Sequence, residues 1–177
     1  MATTLNTGER AQRKTLITVA AWGTVTSGVE ANREILGTRT EDSSIELNAD
    51  VETSTDILGN NYTDVNKTQP QQDFDPFYLL GGSDLGEYLL KAVMENDIAA
   101  YNNVFTVYVI TAIIDSGTGQ AHAYKAVKHT ECSIIPTAVG GDSYVNMPIE
   151  VHYSNKITVG TVDKLSDDFT FTPTVSL

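Results

Sequence analysis

From Ile45 to Ile57, Ile45, Leu47, Ala49, Val51, Thr53, Thr55 and Ile57 alternate without interruption with Glu46, Asn48, Asp50, Glu52, Ser54 and Asp56. Side chains of a strand point alternately to its two faces. The pattern therefore predicts one long strand with an apolar face and a face bearing four carboxylates. Leu58, Gly59, Asn60 and Asn61 supply turn residues, and Tyr62 to Lys67 forms the returning arm of a hairpin. A row of carboxylates repels itself and adds nothing to a core, so it asks for a use beyond stability.

The same periodicity predicts the other elements. Leu16 to Trp22 reads as a strand, Gly23 to Arg39 as a loop with a short strand near Ile35 and Leu36, and Gln69 to Phe77 as a loop. A helix opens at Ser83 or Asp84, with Glu87 placed as in a capping box, and ends at Asn96 and Asp97. Leu85, Leu89, Ala92 and Val93 form its core stripe, widened by Leu90 and Met94. Val104 to Ile114 is apolar on both faces, as a fully buried strand is, and a turn over 115–119 leads into a second arm from Ala121 to Thr130. Cys132 to Ile135 continues that arm. Val145 to Tyr153 alternates as a half-buried strand whose Pro148 marks an edge or bulge, and Ile157 to Val162 and Phe169 to Thr172 complete the set. The predicted class is mostly β, with one helix that should pack on a sheet. Met1 to Lys14 is aperiodic and reads as an arm, and residues 15–177 as one domain.

Composition narrows the function. Among 177 residues, 11 Lys and Arg face 23 Asp and Glu, a formal charge of −12. Such a chain has no broad basic surface with which to grip a phosphate backbone. The single cysteine, Cys132, excludes an intrachain disulfide, and Met1 to Lys14 lacks the apolar run of a signal peptide. The longest apolar run, Val107 to Ile114, is too short to span a bilayer, so a soluble protein made in a cytoplasm is expected.

Catalytic and metal-binding patterns are not evident. His129 precedes Cys132 by three residues, which in a straight strand puts the two on opposite faces, and Cys132 beside Ile134 and Ile135 reads as a buried small hydrophobe. His122, His129 and His152 fit no short metal-ligand spacing. Residues 50–64 lack the regular oxygen spacing of a calcium loop. Gly81-Gly82-Ser83 lacks the lysine of a phosphate-binding loop. No enzyme activity, cofactor or metal is expected.

One set of segments does form a pattern: Glu34-Ile-Leu-Gly37, Glu41-Asp-Ser-Ser-Ile-Glu-Leu-Asn48, Asp50-Val-Glu-Thr53, Thr55-Asp-Ile-Leu-Gly59, Tyr62-Thr-Asp-Val-Asn66, Gln72-Asp-Phe-Asp-Pro76, and Ile134-Ile-Pro-Thr137 followed by Gly140-Gly-Asp142. In this order, from about Trp22 to Asp163, the chain resembles the tail tube proteins of tailed bacteriophages and prophages. The resemblance implies a compact antiparallel β-sandwich or barrel with one flanking helix, in a virion structural protein that is assembled in the host cytoplasm and whose hexameric rings stack into a tube. Its two long hairpins would join those of neighbours in an inner β-barrel. The implied partners are further copies of the chain, a tape-measure protein, tail-tip and terminator proteins, and double-stranded DNA that passes without specific binding.

Carried onto this chain, the resemblance places Glu46, Asn48, Asp50, Glu52, Ser54, Asp56 and Asp64 on the lumen. Ile45, Leu47, Val51, Ile57, Tyr62 and Val65 become candidates for contact between subunits, with the apolar side of the first strand against its own sandwich. Arg10, Arg13 and Lys14 would let the arm reach an acidic neighbour. A carboxylate-lined bore repels phosphates and so keeps DNA from sticking. The alternating strands also permit a β-sandwich binding module for carbohydrate or a cell surface. Such a module needs an exposed aromatic platform, and Trp22 sits at a strand end suited equally to a core.

Overall fold

The computed structural model of the chain describes residues 8–26, 28–114 and 124–174. The turn expected over 115–119, the start of the arm after it, His122 and most of the N-terminal arm lie outside these residues. The fold is mostly β and antiparallel, with one α-helix among the described residues. Its strands are β1 (Leu16–Thr26), β2 (Val29–Ile35), β3 (Ile45–Glu46), β4 (Asp50–Thr55), β5 (Asn61–Lys67), β6 (Gln71–Phe74), β7 (Phe105–Ile114), β8 (Tyr124–Pro136), β9 (Ile149–His152), β10 (Ile157–Val162) and β11 (Phe171–Pro173). The helix, α1, spans Asp84–Glu95.

Two layers share one strand. In the first, β2, β1, β7 and β8 lie side by side, and β10 and β11 extend beyond β8. The second half of β8 instead pairs with β9, which pairs with β6 and then β3. Between the halves Glu131 adopts a left-handed φ of 58°, and the register against β7 slips from Val107↔His129 to Phe105↔Cys132. The bulge turns the strand from one layer into the other. It also leaves His129 and Cys132 less separated than a straight strand would, with Cys132 Sγ donating to the His129 carbonyl oxygen at 3.5 Å.

As its apolar run predicts, β7 is buried on both faces. Phe105 and Val107 join a core with Ala20, Trp22, Phe74, Ile134, Ile149, Val151 and the helix residues Leu85 and Leu89. Tyr108 and Ile110 point the other way, into a second core with Val19, Ala21, Ala126, Val162 and Phe169. Burying a side chain such as Leu85 or Leu89 contributes roughly 1.5–3 kcal/mol. Trp22 is buried against Tyr88 and Phe105, a core role.

The helix lies where its periodicity puts it, with Ser83 as N-cap and Asn96 as a left-handed C-cap. Glu87 does not complete a capping box. Glu34 of β2 does its work instead, accepting from Ser83 Oγ at 2.7 Å and from the Leu85 amide at 2.9 Å. Met94, expected in the apolar stripe, is 77 % exposed. Gly86, which costs helix propensity, is buried where an added Cβ would lie 2.9 Å from Ser83 Oγ and 3.1 Å from Leu79 Cδ2.

Several boundaries differ from the expected ones. The loop foreseen over Gly23 to Arg39 contains the seven-residue strand β2, and that foreseen over Gln69 to Phe77 contains β6. The strand foreseen from Val145 to Tyr153 is confined to β9, and Pro148 lies just before it with its carbonyl accepting from the Thr137 amide. The long strand foreseen from Ile45 to Ile57 is broken at Asn48, whose φ is 44°. Asparagine is among the few non-glycine residues that visit this conformation, and here its Nδ2 donates across the hairpin root to the Gln69 carbonyl oxygen.

Candidate assembly surface

Strands β4 and β5 form a two-stranded sheet of their own. All thirteen of their residues are exposed, whereas every strand of the two layers except the two-residue β3 and the three-residue β11 contains buried positions. The hairpin joins the domain at its root. The Gln69 amide donates to the Leu47 carbonyl oxygen, and the Tyr153 amide to that of Pro70.

Register fixes its two faces. Glu52 is opposite Asp64 and Ser54 opposite Tyr62, so Asp50, Glu52, Ser54, Tyr62 and Asp64 share one face. Val51 is opposite Val65 and Thr53 opposite Thr63, forming the other. The ladder slips between Asp50 and Val51, and Asn66, the extra residue, reaches across to Glu52 at 3.5 Å. Of the residues assigned to the lumen, Asp50, Glu52, Ser54 and Asp64 are thus gathered on one face. Glu46 lies on β3 beside Gln71, and Asn48 sits at the break, so neither continues that row directly.

Asp56 closes the turn. Its Oδ1 accepts from the Leu58 and Asn60 amides, and its Oδ2 from Asn60 Nδ2 and the Tyr62 hydroxyl. The Asn60 side chain foremost, with these other donors, holds its carboxyl below the usual aspartate range. Gly59 at φ 84° supplies the left-handed residue of the same turn.

The residues assigned to contact between subunits divide in two. Leu47, Val51, Ile57, Tyr62 and Val65 are all more than half exposed, Ile57 completely. The apolar side of the hairpin therefore does not pack on its own sandwich as expected, because the break at Asn48 and the separate sheet carry it away. Ile45 is half-buried and packs against the first core. Arg10 and Lys14 are exposed, while Arg13 is tied to its own domain, donating from Nε and Nη2 to the Ser43 carbonyl oxygen and from Nη1 to that of Leu16.

Elsewhere the polar chemistry is structural. Gln72, 1 % exposed, accepts from the Thr18 and Tyr153 hydroxyls and donates to Ser43 Oγ, joining the two layers through a bonded polar network. Below the other core, Glu30 accepts from Lys128 Nζ at 2.9 Å, from the Tyr108 hydroxyl at 2.9 Å and from Arg33 Nη2 at 3.2 Å. The Arg33 guanidinium lies 4.4 Å over the Phe169 ring and donates to the Phe169 carbonyl oxygen. Burial alone would raise the Glu30 carboxyl, but the bonds from Lys128 and Tyr108 outweigh it and hold it below its usual range. The cluster escapes sequence reading because its members are spread over residues 30–169. Burial pushes the Cys132 thiol up, which keeps it out of its reactive thiolate form. No group of three or more His, Cys, Asp or Glu among the described residues could hold a metal ion, and no helix among them is long and apolar enough to cross a membrane.

No protein-family model and no curated protein matches the chain. Solved structures with a similar chain course include a chain of the anti-feeding prophage baseplate, with 9 % identity over 88 % of this chain and 97 % of that one and a TM-score of 0.49. Another belongs to the sheath/tube terminator of an extracellular contractile injection system in its extended state, at 10 % identity, 87 % and 99 % coverage and a TM-score of 0.47. A third belongs to the tube-terminating cap of the anti-feeding prophage, at 11 % identity, 90 % and 97 % coverage and a TM-score of 0.48.

Proposed function

We propose that this protein is a structural subunit of a phage tail tube, forming stacked hexameric rings whose bore is lined by the Asp50, Glu52 and Asp64 face of the hairpin. The observation that carries the reading is a projecting hairpin exposed on both faces, with a carboxylate row and with outer strand edges that pair with no other strand among the described residues. A lone two-stranded hairpin is marginal in water, and unpaired edges invite further strands, so such an element is suited to completion by other copies. Closed rotation makes a ring, and a second contact along the axis makes a filament. The acids then face passing DNA and repel its phosphates, and no catalysis is involved. The N-terminal arm, through Arg10 and Lys14, and contacts with tape-measure, tip and terminator proteins belong to the same proposal.

A carbohydrate-binding sandwich suits the surface less well. Half-buried Tyr78 and exposed Tyr144 meet edge to face at 76° rather than as one flat platform.

Electron microscopy of the concentrated protein tests the reading: rings or hollow filaments are expected. Monomers at every concentration and salt level, without rings even when tail-tip partners are added, would refute it.

A further inference from the structure

Strand β2 is an outer strand of the first layer and pairs with β1 alone among the described residues. The Leu36 amide donates to the Thr18 carbonyl oxygen, so by the alternation of an antiparallel ladder the N–H and C=O groups of Arg33 and Ala31 point away from β1. The same stretch of β2 borders a cleft of about 520 Å³ shared with Asp84 at the start of α1 and the loop 167–170. Two features mark this cleft as incomplete. The Arg33 side chain is 7 % exposed, and although its Nη atoms donate to Glu30 and to the Phe169 carbonyl oxygen, its buried Nε has no acceptor. Asp84 and Asp167 are exposed and no cation among the described residues pairs with either, whereas Asp168 is paired with Lys164.

We propose that the cleft receives the N-terminal arm of a second copy, residues 3–7 adding as a strand along β2 with Leu5 opposite Ala31, and Arg10 meeting Asp84 and Asp167; the inference rests on the tube reading above. Open strand edges take such added strands. Charge chooses this occupant. Arg10 and Lys14 of the arm are exposed and no acid among the described residues pairs with either. The other free strands of a second copy, those of the hairpin, lie in a segment 45–67 with five acids against one lysine and would be repelled. Residues 3–7 lie outside the described residues, but their sequence suits an edge: three threonines and no proline, so every amide can donate, and a threonine hydroxyl can give the Arg33 Nε its acceptor. From Thr7 to Arg10 an extended chain spans roughly 10 Å, which carries the guanidinium past the edge to the acids of the same cleft. The chain's own arm does not fill the site, because its Arg10 stands unpaired while Asp84 and Asp167 are open.

Disulfide trapping between differently tagged chains tests this in a C132A background, with L5C protein co-assembled with A31C protein. A mixed dimer that predominates over both homodimers after mild oxidation is expected. A charge swap gives a second measurement: R10D and D167R should each lose sedimentable assemblies with unchanged circular dichroism, and the two substitutions together should regain them. Rings without the mixed dimer, or no recovery in the double variant, would overturn the docking and leave the tube reading standing. An intrachain bond in monomeric protein carrying both cysteines would overturn the second copy as occupant. A wild-type protein that never assembles would overturn both the docking and the tube.

Discussion

Glu52 and Asp64 stand directly opposite each other across the β4–β5 hairpin, with Asp50 next on the same face. Like charges in that position oppose the pairing that holds them, by roughly 0.2–1 kcal/mol for a cross-strand pair. D64N should therefore slow exchange of the hairpin amides by a fewfold while leaving the thermal midpoint of the domain unchanged. Added salt should act in the same direction on the wild-type protein by screening the pair. Hydrogen exchange read by mass spectrometry checks both.

If the acidic face lines a bore, reversing its charge should spare assembly and alter transport. A D50K/E52K protein is expected to form tubes of normal appearance but to retard DNA, since cations there would hold phosphates. Tube morphology by microscopy and DNA delivery by reconstituted particles separate the two effects. Undiminished delivery would remove the acids from the bore.

Glu30 is the one carboxylate that three partners of the second core share. E30Q leaves part-buried Lys128 and Arg33 without a counter-charge; breaking a fully buried pair costs about 3–5 kcal/mol, and the lower end of that range is expected here. The pH dependence has a definite sign. Because the folded carboxyl titrates below its ordinary value of 4.5, its stabilisation is present above that value and is lost as pH falls through the lower, folded value. Chemical denaturation between pH 6 and about 2.5 should show this acid-side slope in the wild type and a shallower one in E30Q.

The cap on α1 depends on residues 49 apart. S83A removes the acceptor of the Gly86 amide and the donor to Glu34, and should cost about 1 kcal/mol. E34A should cost a comparable amount although it lies outside the helix. If E34A proves neutral in denaturant unfolding, the Ser83 and Leu85 bonds do not contribute.

At Gly160 the backbone of β11 comes so close that an added Cβ would lie 2.4 Å from the Thr172 carbonyl oxygen and 2.6 Å from Phe171 Cζ. G160A should force β11 away and uncover the second core, at a cost of roughly 1–3 kcal/mol. Limited proteolysis near the C-terminus is the direct readout.

What the sequence made legible was whatever repeats at short range. The two hairpins, the helix and the doubly buried β7 each follow from periodicity within about a dozen residues. The hidden parts are those where a polar residue is satisfied far along the chain. β2 reads as loop because Glu30, Arg33 and Glu34 look like surface charges, yet each bonds to a group between 3 and 136 positions away. β6 reads as loop because Gln72 and Asp73 interrupt it, yet Gln72 is bonded to Thr18 and Tyr153. The break at Asn48 leaves the alternation intact on paper, since one left-handed residue changes direction without changing the order of polar and apolar side chains. As for the candidate surface, the acids at positions 50, 52 and 64 follow from parity, but the exposure of Val51 and Val65 on the other face depends on the break at Asn48, which parity does not show.

The shortness of β3 has a mechanical consequence. The hairpin hangs from a strand of two residues at the end of the β8–β9–β6–β3 ladder, whereas β8 is anchored in both layers. A pull on the hairpin would load the bonds at its root first, those of the Gln69 amide to Leu47 and of the Tyr153 amide to Pro70, and then the Glu46–Gln71 rung, with Ile45 and its packing on the first core behind them. Stretched, the domain therefore gives at this tether before the β7–β8 ladder that joins its two layers is touched.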